Sequence, residues 1–385
     1  MSNIFCIPKK IVSGSNALEG AGQEFAVLGS KALIVTDQTM QALGNVQKLE
    51  AVLDTNNVCY SIFDQVNTEP TDQIVMTGVQ QYKDADCDFL IAIGGGSPID
   101  AMKAIAVIAA LGGTPVDFFG REIVADLPSM VAIPTTAGTG SEATQFTIIS
   151  DTSTNVKMLL KGACLLPDIA VVDPVFTLTS PANLTAFTGL DALCHCIEAY
   201  TSRKAQPLSD TFALSAAKRI FNHLPQAYST PDDVDARIQM SLAATEAGIS
   251  FSNSSVTIIH GMSRPIGALF HVPHGLSNAM LMSGCLKFAK SGAVSRFADI
   301  AYYCGIADAK QPEEQAADAL IERIYDLTAL FSIPSIYEYG IDIEAFKDNI
   351  PKMAADAMKS GSPSNTIADV NAETIIGLYR ALLDR

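Results

Sequence analysis

The stretch from Asp88 to Asp100 constrains the fold of this 385-residue chain more than any other. It begins with the apolar run Asp88-Phe-Leu-Ile-Ala-Ile-Gly94, continues with Gly94-Gly-Gly-Ser-Pro-Ile-Asp100, and leads into helical spacing up to about Leu111. A short apolar run that ends in a turn is typical of a parallel strand buried on both faces. The pattern recurs at Met130-Val-Ala-Ile-Pro134, which leads into a second loop rich in glycine and threonine. These two strands predict a parallel sheet.

The remainder of the first half alternates in the same way. Lys31–Asp37 and Tyr60–Phe63 are strand candidates, and helical spacing covers residues 38–56 and 70–82. Strands separated by helices of this length predict a doubly wound α/β domain. After residues 173–181 the chain changes, and helical spacing dominates residues 184–201, 207–224, 233–250, 292–305 and 312–331. We therefore predict an α/β domain over residues 1–179 and an all-helical domain over residues 180–385.

Both glycine-rich loops follow a strand, so they belong at the carboxyl edge of the predicted sheet, where such folds bind ligands. Glycine lets the backbone approach a phosphate, and a helix N-terminus offers unpaired N–H groups. We predict a pyrophosphate-binding site, although tight turns alone would also explain the glycines, and G-x-G-x-x-G is absent. Asp37 ends the first strand, where a carboxylate binds a ribose 2′-hydroxyl and repels a 2′-phosphate. This favours NAD over NADP, with a turn-forming aspartate as the alternative.

Four of the five histidines lie in two short stretches; they are His195, His260, His271 and His274. Asp191 precedes His195 by one helical turn, so the two side chains share a helix face. A hydrogen bond between them would satisfy this pair without a metal. His260 and His274 supply two further imidazoles, and one carboxylate with three imidazoles predicts a site for iron or zinc with an open coordination position. His223 is expected to lie at a helix end.

Composition limits the partners and the compartment. The chain is 48% hydrophobic and 17% charged, with a formal net charge of −16, which disfavours nucleic acid and anionic membranes. No window reaches the roughly 18 apolar residues that span a bilayer, and no apolar signal segment follows Lys9 and Lys10. The eight cysteines show no C-x-x-C spacing, which is typical of a reducing compartment. We expect a soluble cytoplasmic protein that binds small molecules.

Four ordered motifs resemble the iron-containing (group III) alcohol dehydrogenase family over essentially the whole chain; they are Gly94–Ala104, Pro134–Glu142, Gly189–Tyr200 and His260–Gly275. The resemblance implies the dehydroquinate synthase-like fold, with an α/β dinucleotide-binding domain and an all-helical metal-binding domain. It implies that Fe(II), with Zn(II) as a possible substitute, is held by Asp191, His195, His260 and His274. It also implies NAD contacts at Asp37, Gly94, Gly95, Gly96, Ser97, Asp100, Thr135, Thr136, Thr144 and Lys157. Family members are typically homodimers or larger, paired through the segment that corresponds to Ile7–Val12.

Three positions depart from the family pattern. Arg264 and His271 stand four and eleven residues after His260, where lactaldehyde- and propanediol-type members usually carry histidine and Asn or Asp, respectively. Because a guanidinium does not release its proton near neutral pH, we predict that His271, or a water beside it, relays the substrate proton. Arg264 is predicted to bind an anionic group of the substrate, with a structural salt bridge or solvent exposure as the alternative. Many members have Asn-Pro on the cofactor side where this chain has Glu69-Pro70, which leaves a cofactor contact at this position open.

Together with the residues of the two sites, the resemblance implies a metal-dependent, NAD-linked alcohol dehydrogenase or aldehyde reductase. Hydride would pass between C4 of the nicotinamide and a small primary alcohol or aldehyde, with the metal as Lewis acid. Two alternatives stay open: a zinc-dependent polyol dehydrogenase of the glycerol type, and a catalytically silent metal-binding scaffold.

Overall fold

The computed structural model describes residues 2–154 and 156–384. The strands are β1 Lys10–Ser13, β2 Lys31–Val35, β3 Cys59–Phe63, β4 Phe89–Gly94, β5 Met130–Pro134, β6 Phe146–Asp151, β7 Val156–Lys161 and β8 Ile169–Val172. The helices are α1 Ala17–Leu28, α2 Gln38–Ala42, α3 Asn45–Thr55, α4 Asp72–Asp84, α5 Gly96–Leu111, α6 Ala182–Tyr200, α7 Pro207–Ser229, α8 Val234–Ser254, α9 Ile258–Phe270, α10 His274–Lys290, α11 Val294–Cys304, α12 Glu313–Leu330, α13 Ile343–Lys359 and α14 Ala372–Ala381. None of the described helices has the length and apolar character needed to cross a membrane.

Six strands form a parallel sheet in the order β1-β8-β5-β4-β2-β3. Every residue of β4 and β5 is buried. Because successive side chains of a strand point to opposite faces, Leu90 and Ala92 pack with α4 and α5, whereas Ile91 and Ile93 pack with α1 and α3. The predicted parallel sheet with helices on both faces is confirmed.

The structure also contains elements that the sequence analysis did not predict. These are β1 and β8 at one edge of the sheet, and the antiparallel hairpin of β6 and β7. The single helix predicted over residues 38–56 is two helices, because Gly44 between α2 and α3 has a left-handed φ of 73°. Helix α7 continues through Pro225 to Ser229, so His223 lies inside a helix, and its predicted place at a helix end is wrong.

The described residues divide into two compact units. One unit contains Cys6–Ser180, which includes the whole sheet, and Pro231–Ser252, which includes most of α8. The other contains the N-terminal residues up to Phe5, Pro181–Thr230 and the residues from Asn253 onward. None of the eight strands lies in this second unit, in agreement with the predicted helical second half. The domain boundary at residue 180 stays a prediction.

In the second unit, α6 packs against α7 and α10, and α10 also packs against α9. Two glycines allow the close approach of these helices. A Cβ at Gly275, the second residue of α10, would lie 2.6 Å from the carbonyl oxygen of Phe187 on α6. A Cβ at Gly189 on α6 would lie 2.4 Å from Cδ1 of Leu224 on α7. Gly275 therefore lets the start of α10, with His274, lie directly against α6.

Candidate functional site

The four predicted metal ligands come from three helices of the second unit. Asp191 and His195 lie on α6, His260 is in the first turn of α9, and His274 begins α10. One ligand atom from each residue lies within 4.8 Å of the others. The Nε2 atoms of His260 and His274 are 3.5 and 3.8 Å from Oδ1 of Asp191, and the rings of His195 and His260 stack with centroids 4.5 Å apart. The fold brings the four side chains together.

The amide of Asn278 on α10 lies where the ligand atoms converge. Its Nδ2 is 2.6 Å from Oδ1 of Asp191 and 3.2 Å from Nε2 of both His260 and His274. Its Oδ1 is buried and has no hydrogen-bond partner among the described residues. One carboxylate oxygen and two ring nitrogens therefore face a single point, and each ring nitrogen can accept there when it carries no hydrogen. A divalent cation fits this donor set of one carboxylate and several imidazoles. The sequence analysis did not predict a role for Asn278.

Burial and charge together set the protonation of the cluster. Burial raises the pKa of Asp191, but the imidazoles of His195 and His274 outweigh it, so this pKa lies below its usual value. Burial lowers the pKa of His195 to about 3. Burial also opposes a proton on His260, but the carboxylates of Glu198 and Asp191 raise its pKa to about 9. Near pH 7, Asp191 is anionic, His195 is neutral, and His260 is a cation with hydrogen on both ring nitrogens. A metal ion would have to displace one of these two protons.

Glu198 is a buried carboxylate beside the cluster that the sequence analysis missed. It is fully buried on α6, and its Oε2 accepts a hydrogen bond from Nδ1 of His260. Its Oε1 accepts two hydrogen bonds from the start of α9. Histidines that bind metals generally donate their second ring N–H to a group of this kind. Spacing could have found it, because Glu198 follows Asp191 by seven residues and His195 by three, which places all three on one helix face.

The two residues predicted to act on the substrate belong to α9 and its C-terminal end. Arg264 is half-buried and lies one turn after His260. Burial lowers the pKa of its guanidinium, while the charge of Glu198 raises it. Arg264 has no hydrogen bond or ion pair with the residues that the structure describes. His271 is exposed, ends α9 with a left-handed φ of 54°, and lies outside the four-residue cluster.

The two glycine-rich loops lie side by side at the carboxyl ends of β4 and β5. The N–H of Thr135 donates to the carbonyl of Gly94 at 2.9 Å. Gly94 has a φ of 157°, and a Cβ there would lie 2.5 Å from Cγ of Pro98. A Cβ on Gly96 would lie 3.1 Å from the methyl group of Thr139. A side chain at Gly94 would therefore collide with Pro98 in α5, and Gly96 leaves little space between α5 and the second loop. The same loops contain three more of the predicted cofactor contacts, Gly95, Ser97 and Thr136.

Asp100 and Thr144, two further predicted cofactor contacts, are hydrogen-bonded within the protein. The Asp100 carboxylate accepts from the Ser141 hydroxyl at 2.6 Å and from the N–H of Ile148 at 3.0 Å. Lys103, which was not predicted, is fully buried and donates to the carbonyls of Ser141 and Thr144 at 2.7 and 2.8 Å. Burial lowers the pKa of Lys103 to about 8, although Asp100 raises it. These side chains hold the second loop against α5, and direct contact with a cofactor stays a prediction.

Asp37 and Lys157 also have partners within the protein. Oδ1 of Asp37 accepts from the N–H of Met40 at 3.0 Å and caps α2. This cap agrees with the turn-forming alternative, and a carboxylate has a second oxygen that can accept from a ribose. Nζ of Lys157 lies 2.6 Å from Oε1 of Glu69. The acid that replaces the usual asparagine is therefore paired with the lysine predicted to contact the cofactor.

Comparisons with known proteins agree with this arrangement. Residues 8–174 match the family model for iron-containing alcohol dehydrogenase, and residues 185–383 match the C-terminal model of the Fe-containing alcohol dehydrogenase family. A choline dehydrogenase of Bacillus subtilis (strain 168) is 33% identical over 381 residues, which cover 98% of this chain and 94% of that protein. The crystal structure of a 1,3-propanediol oxidoreductase is similar with a TM-score of 0.95 at 32% identity, covering 99% of this chain and 100% of that one. A sulfoacetaldehyde reductase from Bifidobacterium kashiwanohense in complex with NAD+ has a TM-score of 0.87 at 25% identity, covering 99% of both chains.

Proposed function

The chain belongs to the iron-containing alcohol dehydrogenase family, and from that membership we propose that it transfers hydride between NAD and a small primary alcohol or aldehyde, with Fe(II) as the preferred metal. Membership makes the chain an oxidoreductase of the alcohol dehydrogenase class. The convergence of Asp191, His195, His260 and His274 carries the metal-dependent part of the proposal. A bound divalent ion would act there as a Lewis acid toward the substrate oxygen.

The exposure of the four ligands suggests the side from which substrate approaches. Asp191, His195 and His260 are buried, whereas the side chain of His274 is 41% exposed. Buried ligands exclude water from the electrostatic interactions at the site and make them stronger. We place the substrate on the side of His274, where the cluster is open.

The cofactor preference rests on Asp37. Its carboxylate follows β2, at the same edge of the sheet as the two glycine-rich loops, and would repel the 2′-phosphate of NADP. Titration of the protein with NADH and NADPH, followed by nucleotide fluorescence, should show tighter binding of NADH. Asp37→Ser should reduce the difference, whereas Asp54→Ser, which removes an exposed acid of α3, should leave it unchanged. Equal binding of both nucleotides by the wild type would refute the preference.

Arg264 supports a substrate that carries an anionic group. It is half-buried one turn beyond His260 and has no ion-pair partner among the described residues, so its guanidinium is available to a carboxylate, phosphonate or sulfonate. One relative acts on sulfoacetaldehyde, an anionic aldehyde. Another is a choline dehydrogenase, and the positive charge of choline would be repelled by Arg264.

Kinetics on matched substrates test the role of Arg264. Arg264→Gln should lower kcat/KM for an anionic aldehyde about 10- to 100-fold, because a charge-assisted hydrogen bond contributes about 1.5–3 kcal/mol. The loss on a neutral aldehyde of the same length should be much smaller. Arg380→Gln, at an exposed position of α14, is the control for loss of a positive charge. Equal losses on the anionic and neutral substrates would count against an anion site.

His271 is proposed to pass the substrate proton to solvent, directly or through a water. Its exposed position at the end of α9 supports exchange with bulk water. His271→Ala should lower kcat and change its dependence on pH, whereas His223→Ala should change neither. If turnover and pH profile both survive in His271→Ala, another group performs the relay.

Activity of the reconstituted enzyme tests the proposal as a whole. The full chain is stripped with a chelator, loaded anaerobically with Fe(II) or Zn(II), and assayed for NAD reduction with a panel of primary alcohols and glycerol. The proposal predicts more activity with Fe(II) than with Zn(II), and preference for small primary alcohols over glycerol. A zinc enzyme specific for glycerol would support the polyol alternative, and inactivity under all conditions would support the scaffold. Sedimentation and cell fractionation would test the homodimer and the cytoplasmic location, which complete the proposal.

A further inference from the structure

We propose that Glu198 is a positioning residue of the metal site, which fixes both the ring of His260 and the backbone that carries it. This inference rests on the proposed function, because it requires that the cluster bind a divalent metal. Glu198 is a buried carboxylate that contacts His260 and is not one of the four clustered ligands.

The hydrogen bonds of Glu198 determine which nitrogen of His260 is free. Oε2 accepts from Nδ1 of His260, and Oε1 accepts from the Thr257 hydroxyl at 2.7 Å and from the N–H of Ile259 at 2.6 Å. A carboxylate anion only accepts, so the ring nitrogen that faces it must carry hydrogen. The neutral ring is thereby held with its lone pair on Nε2. That atom is the one that lies 3.5 Å from Oδ1 of Asp191.

The other two hydrogen bonds fix the start of α9. Thr257 directly precedes this helix, and Ile259 is in its first turn. The N–H groups of a first turn have no partner within their own helix, and Glu198 accepts from one of them. Glu198 thus joins α6 to α9 at the residues next to His260, so it controls the position of the ligand as well as its tautomer.

The charge of Glu198 also favours a bound cation. Asp191 and Glu198 place two carboxylates in one buried cluster, and the imidazoles are neutral when they bind a metal. The guanidinium of Arg264 interacts with the charge of Glu198 and offsets part of it. A metal cation would offset the remaining negative charge, whereas a buried charge without compensation is costly.

Glu198→Gln removes this function while it keeps the size of the side chain. If the amide oxygen stays with Thr257 and Ile259, the amide NH2 faces Nδ1 of His260 and moves the ring hydrogen to Nε2. If the amide is flipped, its NH2 group faces the Thr257 hydroxyl and the N–H of Ile259, which then lose their acceptor. Either arrangement disturbs the ligand, and loss of such a partner typically weakens metal binding about 10- to 100-fold.

The test is the affinity of the full chain for Co(II) and Zn(II), measured by competition with a chromophoric chelator. Glu198→Gln should bind both metals about 10- to 100-fold more weakly than the wild type, and the absorption bands of bound Co(II) should change. Glu142→Gln is the matched control, because Glu142 is also a buried carboxylate and accepts from the Thr245 hydroxyl at 2.6 Å. This control should lose stability and keep its metal affinity.

Unchanged metal affinity of Glu198→Gln would overturn the proposal, even if the variant melted at a lower temperature. If the wild type itself binds neither metal, the proposed function fails, which is a different result. A crystal structure of the wild type with Zn(II) decides the matter if the variant does not fold. We expect Zn(II) bound to Nε2 of His260, with Nδ1 of the same ring hydrogen-bonded to Glu198. Zn(II) bound to Nδ1, or a Glu198 carboxylate turned away from the ring, would contradict the proposal.

Discussion

The affinity of the ligand cluster for Zn(II) should fall about tenfold from pH 8 to pH 7, because the ion must displace a proton from His260. Burial opposes this proton, but Glu198 and Asp191 raise the pKa of His260 to about 9. Burial lowers the pKa of His195 to about 3, so His195 releases no proton in this range. One displaced proton costs about 1.4 kcal/mol of binding free energy for each pH unit below the pKa.

The same pKa makes a prediction of opposite sign for the chain kept free of metal with a chelator. A group whose pKa is raised on folding adds stability that is present below its unfolded pKa of about 6.5 and is lost as the pH rises through the folded pKa. For His260 the folded pKa is about 9. The melting temperature with chelator should therefore decrease from pH 7 to pH 9, whereas the affinity for Zn(II) increases.

Titration calorimetry in buffers of different ionisation enthalpy measures both the affinity and the protons released. We expect His260 to release about one proton for each bound Zn(II) between pH 7 and pH 8. His223→Ala should leave both quantities unchanged, because His223 lies in α7 outside the cluster. An affinity that does not depend on pH, with no proton released, would refute this account of the site's electrostatics.

Three further substitutions test how the fold supports the two sites. Gly140→Ala should lower the free energy of unfolding in urea by more than Gly305→Ala, whose positive φ alone costs about 1–2 kcal/mol. Both glycines have positive φ, but a Cβ at Gly140 would lie 2.5 Å from Cα of Gly248, whereas nothing lies within 4 Å at Gly305. Equal losses of stability would show that the backbone at Gly248 can move away. Lys103→Met should weaken NADH binding and lower stability, because it leaves two buried carbonyls without their donor, at a cost of about 1–3 kcal/mol each. If Lys103→Met bound NADH as tightly as the wild type in a fluorescence titration, this prediction would be wrong. Gly275→Ala should weaken Zn(II) binding, because the new Cβ would lie 2.6 Å from a carbonyl oxygen of α6, and unchanged affinity would show that α10 can shift without cost.

The sequence predicted the central part of the sheet because its strands are apolar on both faces. The runs that form β4 and β5 have all their residues buried, and such runs stand out from amphipathic segments. β1 and β8 have only four residues each, too few to distinguish a strand from an apolar loop by pattern alone. The split between α2 and α3 depends on Gly44, and a single glycine within a helical pattern is compatible with either outcome.

The ligand cluster was predictable in part. Spacing placed Asp191 and His195 on one helix face, but only the fold shows that α9 and α10 bring His260 and His274 to them. Glu198 and Asn278 were missed for different reasons. Glu198 had a signal in its spacing from the two α6 ligands, whereas a lone asparagine in α10 has no pattern that distinguishes it from an ordinary core residue. The absence of a hydrogen bond or ion pair at Arg264 among the described residues could not be inferred from sequence either, because it depends on contacts distant along the chain.

Anomalous X-ray diffraction from crystals grown anaerobically with Fe(II), recorded on both sides of the iron edge, tests the central claim most directly. The account predicts one strong iron peak in contact with Oδ1 or Oδ2 of Asp191 and with ring nitrogens of the three clustered histidines, His195, His260 and His274. An iron peak at other residues, or no peak at this cluster in a protein that oxidises alcohols with NAD, would contradict it.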